Sequence, residues 1–307
     1  MDEFALIYRY FSALGRGEAV DLGVGDDCAL LRLNAGERLA TSVDTMVEGV
    51  HFPAEAFPED IGFRAVAVAV SDLAAMGARP IGMTLALTLP EPDEFWLHAF
   101  SEGVSAAVSG FSLPLVGGDT TCGPLTITVQ VLGALALDTA LLRSGASPGD
   151  SVYVSGTLGD AAAGLAILQD RLQPATAVHG EYLLQRFYRP QPPLSLGLKL
   201  ADIATAAIDI SDGLLADAGH MAAASGVQIV VDSAAIPLSD ALKSCPDPEK
   251  ALAWALTGGD DYELCFCLPP GVAAPAGVTR IGNVIAGEGV SCDRSPGETA
   301  GYRHFDV

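Results

Sequence analysis

Six short segments gather acidic side chains beside glycine, serine or threonine. They are GDD at Gly25–Asp27, SVDTMVEGVHF at Ser42–Phe52, SDL at Ser71–Leu73, GGDT at Gly117–Thr120, DISDG at Asp209–Gly213 and TGGDDYEL at Thr257–Leu264. Each falls at the end of a predicted strand or helix or in a turn, where the backbone bends tightly and a side chain stays open to a ligand. One Asp-Gly pair needs no more explanation than a turn; a recurring set asks for more. Asp72 is the sharpest anomaly. The run Ala65–Val70 reads as a nearly continuous buried helix that stops at Ser71-Asp72, and a buried carboxylate without a partner is either costly or neutralised.

If Asp27, Asp44, Asp72, Asp119, Asp209 and Asp212 meet in one cleft, their repulsion raises their pKa values unless cations share them. Hard oxygen donors, joined by the hydroxyls of Ser42, Thr45, Thr120 and Ser211 and by no histidine or cysteine cluster, indicate Mg²⁺ rather than zinc. Carboxylates from several segments can hold more than one Mg²⁺, which lets a chain with three lysines grip a polyphosphate. The ligand expected is a metal-bound nucleoside triphosphate. Gly118 either opens its backbone to phosphate or serves close packing, and Arg143 either forks onto phosphate oxygens or is a plain surface residue. His51 is balanced in the same way between substrate and packing. Cys265 and Cys267 share one face of a strand and read as buried small hydrophobes. Tyr302, His304 and Phe305 read equally as a packed terminus or a stacking wall.

The elements that carry these segments follow hydrophobic periodicity. In the first half the pattern predicts a helix over 3–14, strands near 38–43, 81–89 and 125–135, and helices near 59–76 and 93–109. Asp44 is then expected just past a strand. The turn-rich RSGASPGD around 143–150 marks a boundary, so one domain is expected over 1–140 and a second over 148–307. The second half predicts strands from Ser151 and near 206–210, 227–231, 262–268 and 279–285. Its predicted helices lie near 160–168, 194–203, 214–224, 239–243 and 248–256. Two α/β domains follow.

Composition excludes several classes. The chain has 307 residues, 50% of them hydrophobic, and a net charge of −22 from 16 basic and 38 acidic residues. That is too apolar for a disordered acidic tail and long enough for two cores. It has no basic stripe for a phosphate backbone, so nucleic acid is not an expected partner, and its charge disfavours anionic membranes. No run is long and apolar enough to span a bilayer. The opening MDEFALIYRYF has acid where a secretory leader has positive charge, and six scattered cysteines suggest no disulfide framework, so a cytoplasmic location is expected. A Rossmann fingerprint fails at Cys28 of GVGDDC, and no GxxxxGK[ST] exists.

Taken in order, GDDCA, VDTMVEGVHF, VSDLAAMGARP, GGDT, DISDGL, TGGDDYEL and GYRHF resemble the thiamine-monophosphate kinases of the aminoimidazole-ribonucleotide-synthetase-like superfamily, over nearly the whole chain. The resemblance implies a two-domain α/β (α+β) fold. In it an N-terminal α/β domain forms a barrel with its twin in a homodimer, and a C-terminal α/β domain has a ferredoxin-like core. It also implies transfer of the γ-phosphoryl of ATP to thiamine monophosphate with several Mg²⁺ ions. Asp27, Ser42, Asp44, Asp72, Asp119, Asp209 and Asp212 are then the implied metal ligands. Gly118, Asp119, Arg143 and Ser211 lie at the nucleotide, and His51, Glu263 and Phe305 at the acceptor. The chain departs from the family pattern at Cys28, usually alanine, and at Asp260, where glutamate is commonest. Selenophosphate synthesis would want a reactive cysteine before Cys28, and the related hydrogenase-maturation proteins end in a cysteine where this chain ends HFDV. An aminoimidazole-type ligase and a non-catalytic magnesium-nucleotide module are the remaining alternatives.

Overall fold

The computed structural model describes residues 3–294. Phe305, together with Tyr302 and His304, lies outside the described residues. The chain divides into two units: residues up to Leu73 with Ala78–Ala140, and Ala74–Gly77 with the residues from Leu141 onward.

The first unit contains α1 (Glu3–Tyr10), β1 (Val20–Leu22), β2 (Leu30–Leu31), β3 (Glu37–Val47) and α2 (Pro58–Met76), whose last residues fall to the second unit. It continues with β4 (Arg79–Leu89), α3 (Glu94–Phe111), β5 (Leu115–Cys122) and β6 (Thr126–Ala136). A four-stranded sheet runs β3-β6-β4-β5, with β3 antiparallel to β6 in unbroken register from Glu37 opposite Ala136 to Val47 opposite Thr126. Period-two alternation fixes that register, because Ile127, Val129 and Val131 are buried while Thr126, Thr128 and Gln130 take the other face. Helix α2 begins at Pro58 with Glu59 and Asp60 in its first turn, where a fixed φ and negative charge are favourable. It crosses α3 through two glycines: a Cβ on Gly103 would lie 1.9 Å from the Glu59 carbonyl oxygen, and one on Gly62 2.4 Å from that of Phe100. Asp93 caps α3 by accepting from the amides of Phe95 (2.8 Å) and Trp96 (3.1 Å).

The second unit contains β7 (Ser151–Ser155), α4 (Asp160–Leu168), α5 (Ala177–Tyr188), α6 (Leu194–Leu200), β8 (Ala206–Asp209) and α7 (Leu214–Ser225). After these come β9 (Gln228–Val231), α8 (Asp240–Lys243), α9 (Pro248–Thr257), β10 (Leu264–Leu268), β11 (Val278–Ile285) and β12 (Gly289–Cys292). Its mixed six-stranded sheet runs β12-β9-β11-β7-β10-β8. Every residue of β10 is buried, because both faces of the sheet are covered. Cys265 and Cys267 pack with Ile208, Leu214 and Met221 on one side, and Phe266 with Leu200 and Ala207 on the other. Both cysteines are free, and burial pushes the Cys267 thiol up to about 12.

The two-domain α/β architecture stands, but the expected placement of the barrel is overturned. The N-terminal sheet is open, with β3 and β5 at its edges, and the curled, half-barrel sheet lies in the C-terminal domain. The physical reason is strand number and twist. Strand twist accumulates across a sheet, so six strands curl further than four. Among the described residues no helix is long and apolar enough to cross a membrane.

Candidate functional site

Alternation along β3 puts Ser42 and Asp44 on the face of buried Met46, toward α2. From α2, Asp72 reaches that face and its Oδ2 accepts a hydrogen bond from Ser42 Oγ. The Oδ2 of Asp44 is buried with no hydrogen-bond partner. Burial first, and the charge of Asp72 second, push the Asp44 carboxyl from 3.8 to about 6. Asp44 does not follow a strand end as its sequence suggested, because β3 continues through Val47 with Met46 keeping the alternation, while Asp72 lies inside α2, which runs to Met76 as the helix expected over 59–76 does. Asp72 is half-buried and partnered by Ser42, which is the compensation a buried acid requires.

Gly118 and Asp119 lie inside β5, opposite Leu85 and Ala86 of β4, where the sequence suggested a turn. A Cβ on Gly118 would stand 2.0 Å from the Leu85 carbonyl oxygen, so close strand approach accounts for that glycine. The Asp119 carboxylate is exposed and accepts from the Thr120 amide at 3.0 Å. Asp27 is also exposed, and its own amide donates to Asp26 Oδ1 at 2.8 Å. The structure therefore joins Ser42, Asp44 and Asp72. Among the described residues Asp27 and Asp119 do not form, with Asp44 or Asp72, a group of three ligand atoms within 4.8 Å. His51 follows the turn after β3. The Val47 amide donates to its Nδ1 at 3.0 Å, so the neutral ring carries its proton on Nε2.

In the second unit Asp209 ends β8 almost fully buried, and Ser211 and Asp212 are half-buried in the loop that follows. Asp217, in the first turn of α7, holds that loop. Its Oδ2 accepts from the amides of Ser211 (3.1 Å), Asp212 (3.0 Å) and Gly213 (3.1 Å). Burial lifts the Asp217 carboxyl to about 6, with the Asp212 charge adding and the three amides opposing. Sequence reasoning missed Asp217. Its signal was an acid in the first turn of a helix that opens after Asp-Gly. Ligand atoms of Asp212, Asp217 and His220 lie within 4.8 Å of one another.

The TGGDDYEL segment is stitched to the same loop. Asp260 N–H donates to the Ser211 carbonyl (2.9 Å), Tyr262 N–H to that of Ile210 (2.8 Å), and Ile210 N–H to that of Glu263 (2.8 Å). Asp260 and Tyr262 take left-handed φ of 71° and 51°, a conformation non-glycine residues hold only when their surroundings impose it. Glu263 is only 6% exposed, and both its oxygens are engaged, by Ser155 Oγ at 2.5 Å and Arg186 Nη2 at 2.8 Å. Arg143 is exposed, and its carbonyl accepts from Ser225 Oγ at 3.1 Å.

Two family models match the chain: AIR synthase related protein, N-terminal domain, over residues 25–135, and its C-terminal domain over residues 147–292. The thiamine-monophosphate kinase of Escherichia coli K12 is 51% identical over 268 residues, which are 87% of this chain and 82% of that protein. The crystal structure of the Stenotrophomonas maltophilia K279a thiamine-monophosphate kinase superimposes with a TM-score of 0.87 at 45% identity, covering 95% of this chain and 97% of that one. A structure described as AaThiL complexed with AMPPCP and TMP matches with a TM-score of 0.82 at 37% identity, covering 92% of each chain.

Proposed function

The chain belongs to the thiamine-monophosphate kinase family, and from that premise we propose that it transfers the γ-phosphoryl group of ATP to thiamine monophosphate, giving thiamine diphosphate and ADP. The observation that carries the reading is the Asp44–Asp72 pair. A carboxylate oxygen buried without a partner, on a group whose pKa is pushed up to about 6 by burial and by a neighbouring acid, is a place where a cation lowers the energy. The donor set is all oxygen, which fits Mg²⁺.

In this reading Ser42, Asp44, Asp72, Asp27 and Asp119 hold Mg²⁺ in the first unit, and Asp209 and Asp212 hold Mg²⁺ in the second. Bound there, Mg²⁺ would neutralise phosphate charge and orient the transferring group. Gly118, Arg143 and Ser211 serve the nucleotide, with the Arg143 guanidinium free in solvent to fork onto phosphate oxygens. His51 serves the acceptor, with its ring oriented by the Val47 amide at Nδ1. Glu263 and Phe305 complete the acceptor set; Glu263 acts with its carboxylate already fixed by Ser155 and Arg186. No side-chain base is required. The acceptor is a phosphate monoester with a second pKa of about 6, so at neutral pH it supplies its own oxygen nucleophile. Positioning and charge neutralisation then do the remaining catalysis, without a covalent enzyme intermediate.

Two features extend the reading. Leu39 (49% exposed) and Val43 (60%) stand on one face of β3 and support self-association into a homodimer. Six free cysteines, Cys28 and Cys122 exposed among them, support a reducing cytoplasm. The functional test offers purified protein, ATP and Mg²⁺ with thiamine, thiamine monophosphate or aminoimidazole precursors in turn, and reads ADP together with phosphorylated product. ADP formed only with thiamine monophosphate, matched by thiamine diphosphate, is expected. Turnover confined to an aminoimidazole precursor would replace the kinase by a ligase.

A further inference from the structure

The second unit holds a buried ionic cluster in which only Glu263 has a part assigned above, at the acceptor. Asp160 opens α4 and is fully buried. Its Oδ2 accepts from Thr157 Oγ1 (2.5 Å) and Tyr182 OH (3.3 Å), and its Oδ1 from Ser239 Oγ. Asp261, 1% exposed, sits against the start of the same helix and accepts from the amides of Gly159 (2.6 Å) and Ala161 (3.4 Å). Glu263 is the third acid. One guanidinium serves them all: Arg186 of α5 donates from Nη2 to Glu263, and its Nε lies 3.9 Å from Asp160 Oδ2. Burial alone would lower the Arg186 pKa, but Glu263, Asp261 and Asp160 push it above its ordinary value, so it stays charged.

Three buried acids against one cation make Arg186 hard to replace. Without it Glu263 keeps only Ser155, and Asp160 and Asp261 lose the charge that offsets them. Geometry extends the consequence beyond the cluster. Asp261 and Glu263 flank Tyr262 and follow Asp260. Both Asp260 and Tyr262 have left-handed φ, and their amides bond to Ser211 and Ile210 in the segment that carries Asp209 and Asp212. Gly259 lies so close to this loop that a Cβ on it would be 2.3 Å from the Ser211 carbonyl oxygen. A rigid path therefore runs from α5 to the 209–213 loop: Arg186, Glu263, the 260–263 backbone, then Ile210 and Ser211.

We propose that Arg186 is a positioning residue for phosphoryl transfer, pinning the 257–263 segment so that the 209–213 loop keeps the geometry in which it receives Mg²⁺. The inference rests on the kinase reading and assigns Arg186 no contact with substrate. Two measurements on Arg186→Met and Arg186→Lys in the full chain test it. The first is native-state hydrogen exchange, which needs no activity. The amides of Ile210, Asp260 and Tyr262 are expected to exchange about tenfold faster in Arg186→Met, and those of α3 in the first unit at the wild-type rate. The second is kinetic. The Mg²⁺ concentration for half-maximal rate is expected to rise about fivefold or more in Arg186→Met, while the KM for ATP at saturating Mg²⁺ stays within about twofold, and Arg186→Lys to recover most of the loss. Arg186→Lys keeps the charge and carries the test if Arg186→Met does not fold; it is then expected to show the same two effects in smaller measure. Unchanged exchange at the three amides, or faster exchange with an unaltered Mg²⁺ requirement, overturns the proposal. A wild-type protein without turnover would instead sink the kinase reading, while the exchange experiment still decides whether Arg186 pins the loop.

Discussion

Asp44 is the residue on which site chemistry and stability meet. Its carboxyl is raised from 3.8 to about 6 by burial and by Asp72, so the metal-free fold resists ionising it. Well below pH 3.8 the group is neutral in the folded and unfolded chain alike and costs nothing. The cost sets in as pH rises through 3.8, grows to about 6 and is constant well above that. Asp44→Asn is therefore expected to stabilise the metal-free protein at pH 7.5 by about 1–2 kcal/mol, allowing for solvent screening, and to leave it unchanged at about pH 3. Thermal melts in a chelator at the two pH values check this. Protons also compete with the cation, so Mg²⁺ affinity is expected to fall as pH drops below 6, which calorimetric titration across pH 5–8 reads. The acids themselves were legible in sequence, since Asp44 and Asp72 interrupt apolar runs. Their states were not: the hydrogen bond from Ser42 to Asp72 joins β3 to α2 across thirty positions of chain, and no local pattern encodes it.

Elements position these acids through a few backbone constraints. Asp217 satisfies three amides of the 211–213 turn with one oxygen. Asp217→Ala leaves those donors without it and is expected to cost about 2–4 kcal/mol and to raise the Mg²⁺ requirement; a urea melt and the Mg²⁺ dependence of turnover measure the two effects. At the α2–α3 crossing, Gly103→Ala gains about 1 kcal/mol of helix propensity. Its Cβ would meet the Glu59 carbonyl at 1.9 Å, and backbone on backbone yields little. A net loss of about 2 kcal/mol is expected, seen as a lower Tm. Sequence period revealed α2, β6 and α7, where apolar spacing is regular. It missed β5, because Gly117-Gly118-Asp119 reads as a turn until β4 is laid beside it. It also missed α5, whose Gly180 and flanking prolines weaken the pattern although Thr176 caps it by accepting from the His179 amide at 3.1 Å.

For the whole molecule a net charge of −22 has two separable consequences. Self-repulsion falls with ionic strength, so NaCl up to about 0.15 M is expected to raise Tm by a few degrees. Mg²⁺ at equal ionic strength should raise it further, because a ligand bound by the native state at 100 times its Kd adds about 2.7 kcal/mol. That excess is expected to shrink in Asp44→Asn. The two-domain α/β plan was legible from the alternation of elements and the turn around residue 145. The placement of the curled sheet was not, since curl depends on how many strands pair and how their twist accumulates, which no local pattern encodes. The most direct measurement of the central claim is thiamine diphosphate formation against Mg²⁺ concentration, for wild type and Asp44→Asn side by side, with circular dichroism as the control for folding. The expected result is strictly Mg²⁺-dependent wild-type turnover and a kcat reduced about 100-fold in a folded variant. A folded Asp44→Asn protein that turns over at the wild-type rate in limiting Mg²⁺ would contradict it.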